Sequence, residues 1–159
     1  MAIDKRELER KAERHFHQVA NGIIRRVGGR ALYSDQVDDL GKELFGRRWG
    51  GVTNQSDWRP ERGRYYVVNT ATSRRSAGVH WVGIFVTAAG IVYAYDSFGR
   101  NPRRLLHRVG KTALRAGHSR LRGTDPDAEQ LDGTEVCGQY SLAWLVVVRD
   151  MGIKMAALV

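Results

Sequence analysis

Cys137-Gly138-Gln139-Tyr140-Ser141-Leu142-Ala143-Trp144-Leu145-Val146-Val147-Val148-Arg149-Asp150 is the stretch whose reading decides the fold. From Gly138 to about Asp150 it has the length of a helix and is apolar on nearly every face. A helix of that kind lies at the centre of a domain. Cys137 stands where a polar loop, Thr124 to Glu135, meets the first turn of this helix. Free amide donors and the positive helix end there favour thiolate over thiol. Gly138 beside it leaves room for another backbone to approach.

Upstream, two strand-like runs frame the second reactive group. Val79-His80-Trp81-Val82-Gly83-Ile84-Phe85-Val86 precedes Ile91-Val92-Tyr93-Ala94-Tyr95-Asp96. A hairpin centred on Ala88 places His80 directly opposite Asp96, where Cβ atoms stand about 4.5–5.5 Å apart. At that distance the carboxylate accepts the imidazole Nδ1 proton and fixes the tautomer that serves as base. A loop one residue longer puts Ser97 opposite His80 instead. His15, His17, His107 and His118 read as solvated surface residues. No metal site is expected, because no second His or Cys stands at ligand spacing. An oxyanion next to Cys137 also needs donors. The Cys137 amide is one, and a neutral side-chain amide from Gln130, Gln139 or Gln55 is a second; the residues alone do not choose among the three.

The rest of the chain supports one α+β domain, residues 1–159, with residues 1–30 as a detachable basic helical arm. Residues 3–26 read as helix, rich in Arg, Lys and Glu. Ser34 reads as an N-cap, with Val37, Leu40, Leu44 and Phe45 forming one apolar stripe. Gly28-Gly29 and Gly50-Gly51 read as turn glycines, and Asn54 to Pro60 as loop. Arg64 to Asn69 reads as a further strand. Pro102 opens a basic helix from Arg103 to about Ala116, with Leu105, Leu106, Val109 and Leu114 facing in. Ser119 to Arg122 reads as one more short strand.

The 159 residues are enough for one real core. No run approaches the roughly 18 apolar residues that cross a bilayer. Asp4-Lys5-Arg6-Glu7-Leu8-Glu9-Arg10 offers no apolar core for a secretory leader. A single cysteine forbids an intrachain disulfide and suits a reducing compartment. The formal charge of +9 raises affinity for polyanions. Arg103, Arg104, Arg108, Lys111 and Arg115, together with the Lys5 to Arg30 arm, are the expected nucleic-acid-facing surface.

The ordered set His80-Trp81, then Tyr95-Asp96-Ser97-Phe98-Gly99, then Gln130, six intervening residues and Cys137-Gly138 opening a helix resembles the adenovirus-type (adenain-like) cysteine endopeptidases. It also resembles the wider Ulp/SUMO-protease-like superfamily. The matching stretch runs from about Tyr65 to Arg149. Asp38 to Gly46 and Val68-Asn69-Thr70 also look similar.

The resemblance implies a permuted papain-like fold, with a mixed sheet carrying His80 and Asp96 packed on the buried helix that carries Cys137. It implies peptide-bond hydrolysis through a thioester, and it selects Gln130 as the oxyanion donor. Trp81 and Gly138 then bind substrate, Trp81 narrowing the cleft so that small residues such as Gly precede the scissile bond. The viral relatives cut capsid and core precursors during virion maturation, and use DNA and a disulfide-attached peptide as activators. With Cys137 as nucleophile no thiol remains for such a peptide, so DNA or a noncovalent peptide is the expected activator. No cofactor is required for the chemistry. A monomer located in the virion and in the host nucleus or cytoplasm is expected. The alternatives are a ubiquitin/SUMO-like protein protease and a basic DNA-binding virion protein on a protease scaffold.

Overall fold

The computed structural model describes residues 4–72 and 80–159; Val79, expected to open the His80 strand, lies outside them. The elements are α1 (Lys5–Val27), α2 (Ser34–Phe45), β1 (Trp49–Asn54), β2 (Tyr65–Asn69), β3 (Trp81–Val86), β4 (Val92–Tyr95), α3 (Pro102–Leu105), α4 (His107–Arg115), α5 (Cys137–Met151) and α6 (Ile153–Ala156). The four strands form one sheet in the order β1-β2-β3-β4. β1 runs parallel to β2, and the other two pairings are antiparallel.

Alternation along the strands divides the core in two. Trp81, Phe85, Tyr93 and Tyr95 face a cluster built by α1, α2, α5 and α6. Val82, Ile84, Val86, Val92 and Ala94 face Trp58, Leu106, Val109, Ala113 and Leu121. The sheet is therefore covered on both sides, with α5 on one face and α4 on the other. Leu142, Ala143, Trp144, Leu145 and Val147 of α5 have no exposed surface, as an all-round apolar helix requires. Among the described residues no helix is long and apolar enough to cross a membrane.

The helix α5 lies close to β3 because Gly83 has no side chain. A Cβ there would stand 3.2 Å from the Ser141 carbonyl oxygen and 3.3 Å from the Trp144 ring. Ser141, one turn along from Cys137, donates its hydroxyl to the Trp81 carbonyl at 3.1 Å. The Cys137 end of the helix is thus tied to the start of the strand that follows His80.

Several expectations are corrected. The N-terminal helix is not a detachable arm. Ala12, Phe16, Ala20 and Ile23, spaced three or four apart, form a buried stripe against α5. Phe16 meets the Tyr95 and Tyr140 rings at 5.8 and 5.3 Å, and His15 pairs with Asp150 at 2.9 Å rather than standing free. The dense charge around that stripe masks it in the sequence.

Gly50-Gly51 is not a turn but part of β1. A Cβ on Gly50 would fall 2.2 Å from the Tyr66 ring, and Gly51 at φ +116° sits where the β1–β2 register shifts. In α2 the cap is Tyr33, whose N–H bonds Gln36 Oε1 at 2.9 Å, and Ser34 is already helical. The basic helix is broken at Leu106, which turns Val109 and Ala113 inward and leaves Leu114 53% exposed. Ser119 to Arg122 contributes only a single bridge, Arg122 beside Tyr93.

Removing the Phe16 ring opens a cavity against α5 that a peripheral arm would not have. Phe16→Ala is expected to cost about 3–5 kcal/mol in urea or thermal unfolding, and a cost below about 1 kcal/mol would contradict the integral packing of α1.

Candidate active site

The β3–β4 ladder pairs Gly83 with Tyr95, Ile84 with Ala94 and Val86 with Val92. The connection is longer than a hairpin centred on Ala88 allows, and the register is displaced by two residues from the expected one. Continued past the strand end, this ladder sets Val82 opposite Asp96 and His80 opposite Phe98, whose rings stand 5.3 Å apart. Because side chains alternate faces, a two-residue displacement keeps His80 and Asp96 on the same side, as diagonal rather than direct neighbours. A one-residue slip would have separated them.

They do meet. His80 Nε2 and Asp96 Oδ1 are 2.5 Å apart, and Asp96 is buried. The nitrogen is Nε2, not the Nδ1 expected, so Nδ1 is the ring atom left to face Cys137. Asp96 is gripped from its other side by Arg100. The Arg100 backbone N–H and Nε donate to Oδ2 at 3.0 and 2.8 Å, and Nη2 lies 3.4 Å from Oδ1. Arg100 also lies over the Phe98 ring at 5.2 Å. Burial opposes charge on Asp96, but the His80 and Arg100 donors outweigh it and hold the carboxyl far below the usual carboxylate range.

Cys137 is the first residue of α5 and is nearly buried. The Trp81 backbone N–H donates to its Sγ at 3.4 Å. Burial pushes the thiol pKa up, but the His80 side chain and the Trp81 and Gly138 N–H groups more than offset it, and the net shift is downward. Burial likewise works against the His80 cation, while Asp96 and Cys137 bring its pKa above the ordinary value. Thiolate beside imidazolium is the state these two shifts favour jointly.

The structure also separates the three glutamines. Gln139 Nε2 donates to the Gly28 and Arg30 carbonyls at 3.0 and 2.8 Å. Gln55 Nε2 donates to the Thr70 and Leu105 carbonyls. Both hydrogens of each amide are thereby spent. Gln130 Nε2 has one protein acceptor, the Thr134 carbonyl at 2.9 Å, which leaves its second hydrogen free. Its Oε1 accepts from Ser97 Oγ at 2.5 Å, and the backbone N–H groups of Glu129 and Gln130 both donate to the Ser97 carbonyl at 3.0 Å. Ser97, the residue after Asp96, thus carries the Gln130 loop.

Trp81 packs on Gly138: a Cβ there would lie 3.1 Å from Trp81 Cδ1, and the indole N–H bonds the Leu32 carbonyl at 3.1 Å. Its ring is a fixed, largely buried wall beside Cys137 and Gly138.

The basic residues do not form one surface. Arg108, Lys111 and Arg115 line a groove of about 750 Å³ with Arg59 and His107. Arg103 is engaged elsewhere, its Nε donating to the Leu121 carbonyl, and Arg104 is exposed on α3 outside the groove. The α1 residues lie across the sheet from α4, so the arm does not extend this face.

Arg100 and Ser97 are the residues that the sequence reading missed. Arg100 stands four residues from Asp96 across a turn closed by Gly99, at φ +70°, whose N–H bonds the Asp96 carbonyl at 2.9 Å. An acid and a base at that spacing around Ser-Phe-Gly were the available signal.

No family model and no curated protein matches this sequence. Among solved structures, the ASFV pS273R protease superposes with a TM-score of 0.50 at 16% identity, over 82% of this chain and 61% of that one. The fold is that of a papain-like, Ulp-type cysteine protease. The chain spans 61% of that protein's length, so the likeness describes the architecture they share.

A depressed thiol pKa has a direct readout. Cys137 is expected to alkylate with iodoacetamide at pH 6, with the rate falling only as pH drops through the lowered thiol pKa. His80→Ala removes the paired cation; thiolate at pH 6 falls about tenfold for each pH unit by which the thiol pKa rises. Equal labelling of wild type and variant would remove His80 from the thiol's environment.

Proposed function

We propose that this protein is a cysteine endopeptidase that cleaves precursor proteins after small residues such as Gly, of the adenovirus type within the Ulp/SUMO-protease-like superfamily. The observation that carries this reading is the hydrogen-bonded line from Arg100 through Asp96 to His80, with the Cys137 sulfur held on the backbone N–H of the next residue, Trp81.

In this reading the Cys137 thiolate attacks the scissile carbonyl carbon. The oxyanion that develops is met by the Cys137 N–H and the free hydrogen of the Gln130 amide. His80, already protonated, gives its proton to the leaving amine, and a thioester on Sγ remains. A water then enters, His80 takes its proton, and hydroxide attack on the thioester releases the acid and restores the thiolate. Asp96 holds the ring so that one nitrogen faces the sulfur throughout, and Arg100 holds Asp96. Trp81 and Gly138 border the place where the substrate backbone must lie, which favours residues without large side chains.

The proposed substrates are viral capsid and core precursors cut during virion maturation, in the virion and the host nucleus or cytoplasm, by a monomer. The α4 groove is the proposed contact for DNA as an activator. Five basic side chains line it and no carboxylate does, which is the arrangement phosphate contacts need. A noncovalent peptide is the other proposed activator, since the single thiol is taken. No cofactor enters the chemistry.

Cys137→Ala should abolish turnover of a Gly-Gly-containing peptide, and retained turnover would eliminate the assigned nucleophile. Gln130→Ala is expected to lower kcat by about 10²–10³ with folding unchanged by circular dichroism. Cleavage of ubiquitin-like fusions but not of such peptides would favour the ubiquitin-like protein protease instead. For the groove, DNA affinity should fall steeply with salt, and Arg108→Ala with Lys111→Ala should flatten the log–log slope by about two. A slope unchanged by the pair would place DNA elsewhere.

A further inference from the structure

Glu129 and Asp127 lie in the loop that carries Gln130, and they converge on Glu13 of α1. One carboxylate oxygen from each lies within 4.8 Å of the other two. Three acids held that close repel one another. Neither oxygen of Glu129 is exposed, and neither has a hydrogen-bond partner among the described residues.

A second observation comes from the opposite side. Tyr95 is fully buried, its ring stacked on Trp144 at 5.5 Å and tilted against Phe16 at 5.8 Å. Its hydroxyl is buried in the neighbourhood of Glu129 and has no hydrogen-bond partner among the described residues. A buried phenol and a buried carboxyl group therefore lie together without hydrogen-bond partners, and the two other acids of the cluster, Glu13 and Asp127, line a groove with Glu9 and Asp125. The nearest basic group is His17, 3.7 Å from Glu13; Arg6, Arg10 and Arg14 line the groove as well.

We propose that Glu13, Asp127 and Glu129 bind a divalent cation, with the Tyr95 hydroxyl beside it. The donor set is all oxygen, which selects a hard ion over zinc or copper. Donors come from a helix and a loop, without the octahedral rigidity magnesium demands, so calcium is the ion that fits. Water supplies the remaining ligands through the groove.

Its consequence rests on the proposed protease reading. Glu129 and Gln130 are adjacent, and both backbone N–H groups bond the Ser97 carbonyl. An ion joining Glu129 to α1 fastens the loop whose next residue supplies the oxyanion donor. The site is a clamp that holds Gln130 in position.

Terbium tests the ion site without reference to turnover, because Tyr95 and Trp144 stand close enough to sensitise it. In full-length Cys137→Ala protein, excitation of these rings should give terbium luminescence that calcium displaces. Glu129→Gln and Glu13→Gln should each weaken binding by about tenfold or more. Glu13→Gln serves if the more buried change impairs folding. Luminescence that is absent, or unaltered by both substitutions, overturns the site. So does a Tm that rises on acidification but not with millimolar calcium, since the cluster is then filled by protons. Terbium binding with no peptide turnover in wild type would sink the protease reading and leave this site standing. Calcium bound with no change in kcat would remove the clamp.

Discussion

The close approach of α5 to β3 is the constraint on which the site depends. Gly83 lets the helix backbone come within contact of the strand, and the Ser141–Trp81 hydrogen bond fixes the helix along its axis. Together they bring Cys137 Sγ against the backbone N–H of Trp81, the residue after His80. A side chain at Gly83 would meet both the Ser141 carbonyl and the Trp144 ring, which are backbone and fully packed core respectively. Neither yields without moving the helix, and a helix shift of 1 Å is enough to spoil a catalytic contact.

Around that contact basic and acidic groups alternate: the Arg100 guanidinium, the Asp96 carboxylate, the His80 imidazole and the Cys137 thiol. Unpaired, any one of them would be expensive to bury. In order, each stabilises its neighbour, and low dielectric strengthens every link. Asp96 is the pivot, since it accepts on both oxygens while almost fully enclosed. Arg100 does for Asp96 what Asp96 does for His80: it fixes geometry and favours the charged form. The half-exposed guanidinium lets the line end in solvent, so its last charge need not be buried.

A second connection runs from the same turn to the Gln130 loop. Ser97 accepts two backbone N–H groups on its carbonyl and donates its hydroxyl to the Gln130 amide oxygen. That last bond sets which way the amide faces, because its oxygen is spent and its nitrogen must point elsewhere. Asp96 and Ser97 are consecutive, so one short turn after β4 holds both His80 and Gln130. The same loop closes against α1, making the N-terminal helix a wall of the site's support as well as of the core.

Chemistry was largely legible in the sequence. A lone cysteine opening an apolar helix, a histidine at one strand end and an aspartate at the next are local patterns, because helix periodicity and strand alternation depend on neighbours in the chain. The α+β class and the central burial of α5 follow from the same local signals. What only the tertiary structure decided depends on partners far apart in the chain. Gly50-Gly51 forms a strand because β2 is there to pair with it, and α1 is integral because α5 supplies a surface for Phe16. The hairpin register, the choice of Nε2 over Nδ1, and the partners that occupy the Gln55, Gln130 and Gln139 amides each turn on hydrogen bonds to carbonyls and carboxylates elsewhere in the fold. Even so, His80 and Asp96 share a face by strand parity, which a two-residue displacement leaves intact; the pairing was readable although its register was not.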